Sequence, residues 1–348
     1  YNGSSWVAIS PGIANVVDDS TPQLGGNLDL NSNNITGTGN LDIANGTIKL
    51  DGNYPTGTDN VAIGDTALDS VEAGGVNNTA IGDNALTSNT TADDNTAVGK
   101  SSLADNTTGC RNTAVGSCAL ENNTTGCQNN SLGWCSLFTN TTGCDNVGIG
   151  SAALLSSTSA CYNTAIGKSA MQATTTGNSN VAVGRNALVA NTTGDANVAV
   201  GNLALDANTT ASNNVAIGCG ALGANTTGEV NTAVGTASMI TNTTGFGNTA
   251  LGKNSLYTNN GNNNTAIGHE ALELNSSGSC NVAVGRQALE ANTTASDNTA
   301  VGFKSLNANT TGTLNTALGL CALTTNVSSN HNTALGANSL RANTGIQN

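Results

Sequence analysis

Charge is the scarcest property of this sequence. Only 9 % of its 348 residues are charged, against about 25 % in ordinary globular domains. Aromatic residues make up 3 %, too few for a core of the usual kind. The 22 acidic residues outnumber nine basic ones for a net charge of −13, which excludes binding to nucleic acid or to an anionic membrane through a basic patch. No apolar run approaches the roughly 20 residues needed to span a bilayer, so no membrane insertion is expected. Tyr1 is not preceded by a methionine or a signal peptide, and the chain reads as a piece of something longer.

The positions that charge does not occupy are filled by a repeat. Asn-Thr-Ala-Ile-Gly recurs from Asn60 to Gly336 in seventeen copies, and fourteen of the sixteen intervals between their glycines are 17 residues. The exceptions, 18 residues from Gly64 to Gly82 and 16 from Gly252 to Gly268, differ within 71–77 and 259–264. Length changes are tolerated in loops, so these Asn/Thr/Gly-rich stretches are the loops of the unit. The unit N-[TV]-A-[IVL]-G-x-x-[AS]-[LM] keeps Asn four residues before the glycine and an aliphatic residue just before it. Ala or Ser stands three after it, and Leu or Met four after. Charge falls in the variable columns, which marks them as solvent-facing and predicts that the small and aliphatic columns face inward.

Period-2 alternation makes Asn-Thr-Ala-Ile-Gly a strand, with the Ile and Thr/Val columns on one face. The glycine opens a bend, Ala-Leu is expected to form a short second strand, and Asn-Thr-Thr-Gly supplies turn chemistry. A helix is excluded because each Ala-Leu pair is closed in by Gly and Asn-Thr-Thr-Gly within a few residues. One coil burying two large aliphatic side chains gains on the order of 5 kcal/mol, whereas ordering 17 residues costs roughly 25 kcal/mol. The coils must therefore stack. The sequence predicts an all-β, parallel β-roll or β-solenoid of about seventeen coils over residues 58–348, roughly 80 Å long at about 4.8 Å per coil. The Ala/Ser columns are expected to pack against further copies of the chain. Residues 1–57, with strand-like pieces such as Asn27–Leu30 and Leu41–Ile43, read as a small β connector.

Candidate chemistry is concentrated in cysteine. Cys110, Cys127, Cys144 and Cys161 share one column of four successive copies, and Cys118 and Cys135 share another. Same-column neighbours would have Cα atoms about 4.8 Å apart, within disulfide range, so these pairs are candidate staples or a ladder of free thiols. No zinc site is expected: Cys-x-x-Cys is absent, and His269 and His331 lie far from the cysteine block. Asn-Thr-Thr matches a glycosylation sequon, but stacked asparagine ladders account for it better. The paired threonines lie in loops, which argues against an ice-binding face. Trp134, Phe138, Phe246, Tyr257 and Phe303 occupy variable columns and are the candidates for surface recognition of a glycan or protein. No sheltered carboxylate pair or histidine recurs, so no enzyme activity, cofactor or metal is expected.

The repeat resembles the head of trimeric autotransporter adhesins of the YadA type, Asn197–Gly201 (Asn-Val-Ala-Val-Gly) being the nearest version. The full unit with Asn-Thr-Thr-Gly is closer to arrays in phage tail fibres, many from marine and cyanobacterial phages. Val16–Leu30 and Tyr1–Trp6 also resemble segments of such fibres. The resemblance implies a left-handed homotrimeric roll in a virion appendage, joined to other fibre or baseplate subunits and supporting attachment to a host cell. The alternative is a bacterial surface adhesin whose roll binds host or matrix; an ice-binding or glycan-degrading spike is more remote. A membrane-anchor barrel or a C-terminal chaperone, if the parent has one, is expected outside these residues.

Overall fold

The structure, a computed structural model, describes residues 57–72 and 74–342. The connector expected over 1–57 lies outside the described residues, apart from Gly57. The described residues form an all-β parallel solenoid with no helix. Seventeen three-residue strands, from Val61–Ile63 to Thr333–Leu335, each pair in parallel with the next. Register is strict, so alanine stacks on alanine and aliphatic on aliphatic, as in Thr96↔Thr113, Ala97↔Ala114 and Val98↔Val115. It also survives both irregular intervals, with Val61 opposite Thr79 and Thr249 opposite Thr265. The extra and missing residues are absorbed in the turns, as the sequence predicts.

Backbone ladders extend around most of the coil. Besides Thr113 N–H to Asn129 O (2.8 Å), Cys118 N–H reaches back to Lys100 O (2.9 Å) and Leu120 N–H forward to Ser136 O (3.0 Å). Each coil is thereby hydrogen-bonded to both neighbours, which satisfies backbone groups that a thin structure could not otherwise shield. Gly116 and its equivalents explain the invariant ruler. Its φ is +134°, and a Cβ there would stand 2.6 Å from the carbonyl oxygen of Gly133.

Three expectations need correction. The Ala-Leu pair is a turn and not a second strand. Leu120 has φ +52° and Cys118, two residues before it, +57°; this left-handed conformation is disfavoured for residues with a Cβ. Here it aims the leucine inward while Leu120 N–H stays on the ladder to Ser136. The aliphatic column before the glycine is also not inside. In each fully stacked coil the middle Ala, Ser or Gly of the strand is buried, while the flanking Thr/Val and Ile/Val/Leu residues face outward, half-buried or exposed. The cause is the thinness of the coil. At Gly148, where the alanine is missing, a Cβ would already lie 3.2 Å from Leu137 Cγ. Only small residues fit between strand and leucine, and the largest found there is Ser131. The core is thus one Leu or Met per coil packed on two small-residue columns, and those Ala/Ser columns are interior surfaces unavailable to another chain.

Candidate functional site

Two buried files of asparagine hold the coils in register. Asn112 Oδ1 accepts the N–H of Asn129 (2.9 Å) while its Nδ2 donates to Gly126 O (2.9 Å). In the turn column, Asn123 Nδ2 donates to Asn106 Oδ1 (2.8 Å) and Asn140 Nδ2 to Asn123 Oδ1 (2.8 Å). Asn106, Asn123 and Asn140 are fully buried, so the Asn-Thr-Thr sequons of the array are structural and closed to glycans. The first threonine of each turn also works along the axis, as Thr107 Oγ1 donates to Thr124 O at 3.0 Å. The turn file is interrupted where Ser157 and Thr174 replace asparagine. Asn140 Oδ1, Ser157 Oγ and Thr174 Oγ1 are left there buried and unpartnered.

The outer face of the sheet is the largest uninterrupted feature. Its two outward columns contain only Thr, Val, Ile, Leu and Asn130, with no charge over seventeen strands. Ile63, Ile81, Leu132, Ile166, Ile217 and Leu251 are among its exposed members. A strip roughly 80 Å long and about 7 Å wide covers on the order of 550 Å², one column of it wholly aliphatic and the other mostly threonine.

The edges of this strip carry opposite charge. In the two columns after the glycine, Lys100, Lys168, Arg185, Lys253, Arg286 and Lys304 are basic and Asp65, Asp83 and Glu270 acidic, so this edge is mostly basic. On the side before the buried Asn stand Asp93, Asp94, Asp145, Asp195, Glu229 and Asp297, with Arg111 the sole cation. The ion pairs at these edges, Lys100–Asp83 (3.1 Å) and Arg111–Asp94 (3.8 Å), each join neighbours within one column and do not cross the strip.

The recognition candidates do not converge. Trp134 and Phe303 follow the ruling glycine, Phe138 and Tyr257 lie five residues after it, and Phe246 lies six before it. Trp134, Phe246 and Phe303 are exposed, whereas Phe138 and Tyr257 are half-buried. Phe303 is flanked by Arg286 and Lys304, 5.9 and 5.6 Å from its ring centroid. Tyr162, exposed at 66 %, is a further aromatic on the surface that belongs with this set; it precedes a buried Asn, a position that variability alone identifies as outward.

All nine cysteines are free thiols, Cys135 buried and Cys110, Cys118, Cys127, Cys144 and Cys161 half-buried. Burial, reinforced by the neighbouring Cys118, pushes the Cys135 thiol up to about 11. Burial also raises Cys118, where Glu121 adds to the effect. Glu270, Glu273 and Glu290 form a carboxylate cluster with oxygens within 4.8 Å of one another. Glu270 lies 3.3 Å from His269 Nδ1, and Asn307 Nδ2 donates to Glu290 at 2.7 Å. Burial and then the charges of Glu270 and Glu290 hold Glu273 above the usual carboxylate range. Glu273 and Glu290 share the fifth column after the glycine on successive coils, a repeat the sequence offered, whereas the approach of Glu270 from the second column was not evident there. Neither a protein-family model nor a curated protein sequence matches the chain.

Proposed function

We propose that the array is the shaft of a phage tail fibre, assembled from three parallel copies packed through their outer strand faces, and that it supports host attachment without performing catalysis. The observation that carries this reading is the uncharged strip of threonine and aliphatic residues with one mostly basic and one mostly acidic edge. A second copy of the chain, rotated about a common axis, brings the basic edge of one protomer to the acidic edge of the next. Such a heterologous contact closes into a ring, and oppositely charged rims fix partner and register. The resemblance of the repeat to trimeric heads sets the number at three. Exact axial repetition suits a spacer, since a uniform rod offers the same surface at every level. The scattered aromatics support spacing over recognition, because binding energy is usually concentrated in a contiguous cluster.

The coding locus and a binding assay test this together. Tail-assembly genes beside the coding sequence, and no retention of the purified chain on host cells or glycan arrays, are the expected results. A membrane-anchor barrel in the same reading frame, or saturable cell binding lost on replacing Trp134, Tyr162 and Phe246, would replace the shaft with a surface adhesin.

A further inference from the structure

The cysteine file is more regular than stapling requires. Cys110 N–H points to Cys127 Sγ (3.2 Å), Cys127 N–H to Cys144 Sγ (3.2 Å) and Cys144 N–H to Cys161 Sγ (3.1 Å). Each sulfur also sits 3.4–3.7 Å from the carbonyl two residues before it. All four side chains therefore share one conformation. Their sulfurs are translated copies standing in a line at the coil repeat, about 4.8 Å.

That spacing discriminates between sulfur chemistries. A disulfide needs Cβ atoms about 3.5–4.5 Å apart and sulfurs at about 2.05 Å, whereas in-register stacking holds successive Cβ atoms at the coil repeat. A structural zinc needs four ligands arranged as a tetrahedron, which a straight file cannot supply. Two-coordinate, in-line ligation fits. Metal–thiolate bonds are about 2.3 Å for zinc, so an ion midway between two sulfurs spans about 4.6 Å. Thiolates select soft ions such as Cu(I).

The fold itself does not call for sulfur here. In the same column Asn178 Oδ1 accepts the Cys161 N–H at 2.8 Å and Ser212 Oγ the Asp195 N–H at 3.0 Å. An oxygen acceptor does the structural work equally well, yet four consecutive coils carry cysteine, all of them reachable from solvent.

We propose that Cys110, Cys127, Cys144 and Cys161 form a binding site for soft monovalent d10 cations, Cu(I) or Ag(I), with one ion between Cys110 and Cys127 and one between Cys144 and Cys161. Each ion is in line with its two sulfurs, and a bent thiolate sulfur cannot bond a second ion on its far side, so the file holds two. The four thiols release their protons to solvent as the two ions bind; sulfur–metal bonds replace sulfur–hydrogen bonds, no electron is transferred, and the filled file carries two net negative charges. The backbone N–H groups already directed at Cys127, Cys144 and Cys161 remain donors to these thiolates.

Native mass spectrometry of the full chain titrated with Ag(I), without oxidant, counts the ions. Relative to a variant with all four cysteines changed to serine, the wild type is expected to hold two more. Cys144→Ser keeps only the Cys110–Cys127 pair and is expected to hold one, and C127S/C144S none. Serine retains the N–H acceptor, so unchanged thermal midpoints confirm folding. Loads of four, three and two across the same series would show independent thiols and overturn the proposal. So would silver absorption spectra with fewer than two sulfur neighbours per ion.

Discussion

Single residues matter here because each is copied along an axis, so a departure from the pattern leaves its neighbours unpaired. At Ser157 and Thr174 the turn file loses two amides, and three buried polar atoms go unsatisfied. An unpaired buried group costs about 1–3 kcal/mol. The double substitution S157N/T174N is therefore expected to stabilise the chain by roughly 2 kcal/mol or more, read as a higher denaturant midpoint with an unchanged slope. Glu273 is the titrating counterpart. Its carboxyl is raised by burial and by Glu270 and Glu290, so its ionisation costs stability as pH rises through the folded value, and its contribution is fully present only below the unfolded value of about 4.3. E273Q is expected to melt above wild type at neutral pH, and the difference to vanish near pH 4 (about the unfolded value). A constant difference across that range would mean that packing, and not charge, governs the site.

At the scale of the coil, the strand, its register and the turn were legible in the sequence. Alternation, invariant Asn and Gly, and length variation confined to one stretch each have a single physical reading. The facing of the strand was not legible. Period 2 defines two faces without saying which is inside, and burying Ile in preference to Ala is the ordinary expectation. What decides it is the thickness of the coil, fixed by the distance from Leu137 to Gly148, residues whose apposition only the folded chain reveals. The left-handed Leu column was hidden for a related reason. Positive φ is normally announced by Gly or Asn, and Leu120 gives no such sign. The ruling glycine can be tested directly. Gly116→Ala places a Cβ 2.6 Å from Gly133 O at φ +134°, and backbone strain alone costs about 1–3 kcal/mol. A clear drop in midpoint is expected, whereas Ser117→Ala, at the next position, should change it by less than about 0.5 kcal/mol.

For the whole molecule, the low charge of the chain and its uncharged strip have one origin. Most positions of each coil are committed to ladders and to the thin core, and the two outward strand columns bear no charge. Beside that strip the charge is unequal, mostly basic after the glycine and mostly acidic before the buried Asn. If these edges meet in the assembly, K168E/R185E/K253E should weaken association, and the defect should shrink as salt rises because rim charges are screened over about 10 Å at 0.1 M. A salt-independent defect would place those cations away from the interface. The cysteine file was visible as a column in the sequence, but the common side-chain conformation that makes it a line of evenly spaced sulfurs was not.

The most direct test of the strip as an interface is the mass of the assembly in solution by light scattering, for wild type and for I166K/I217K, which puts charge on two exposed positions of the strand face while leaving the interior alanines untouched. The wild type is expected at three times the 34.3 kDa chain mass, and the variant as a folded monomer with an unchanged β spectrum. A monomeric wild type, or a trimer indifferent to both lysines, would contradict assembly through the strand face.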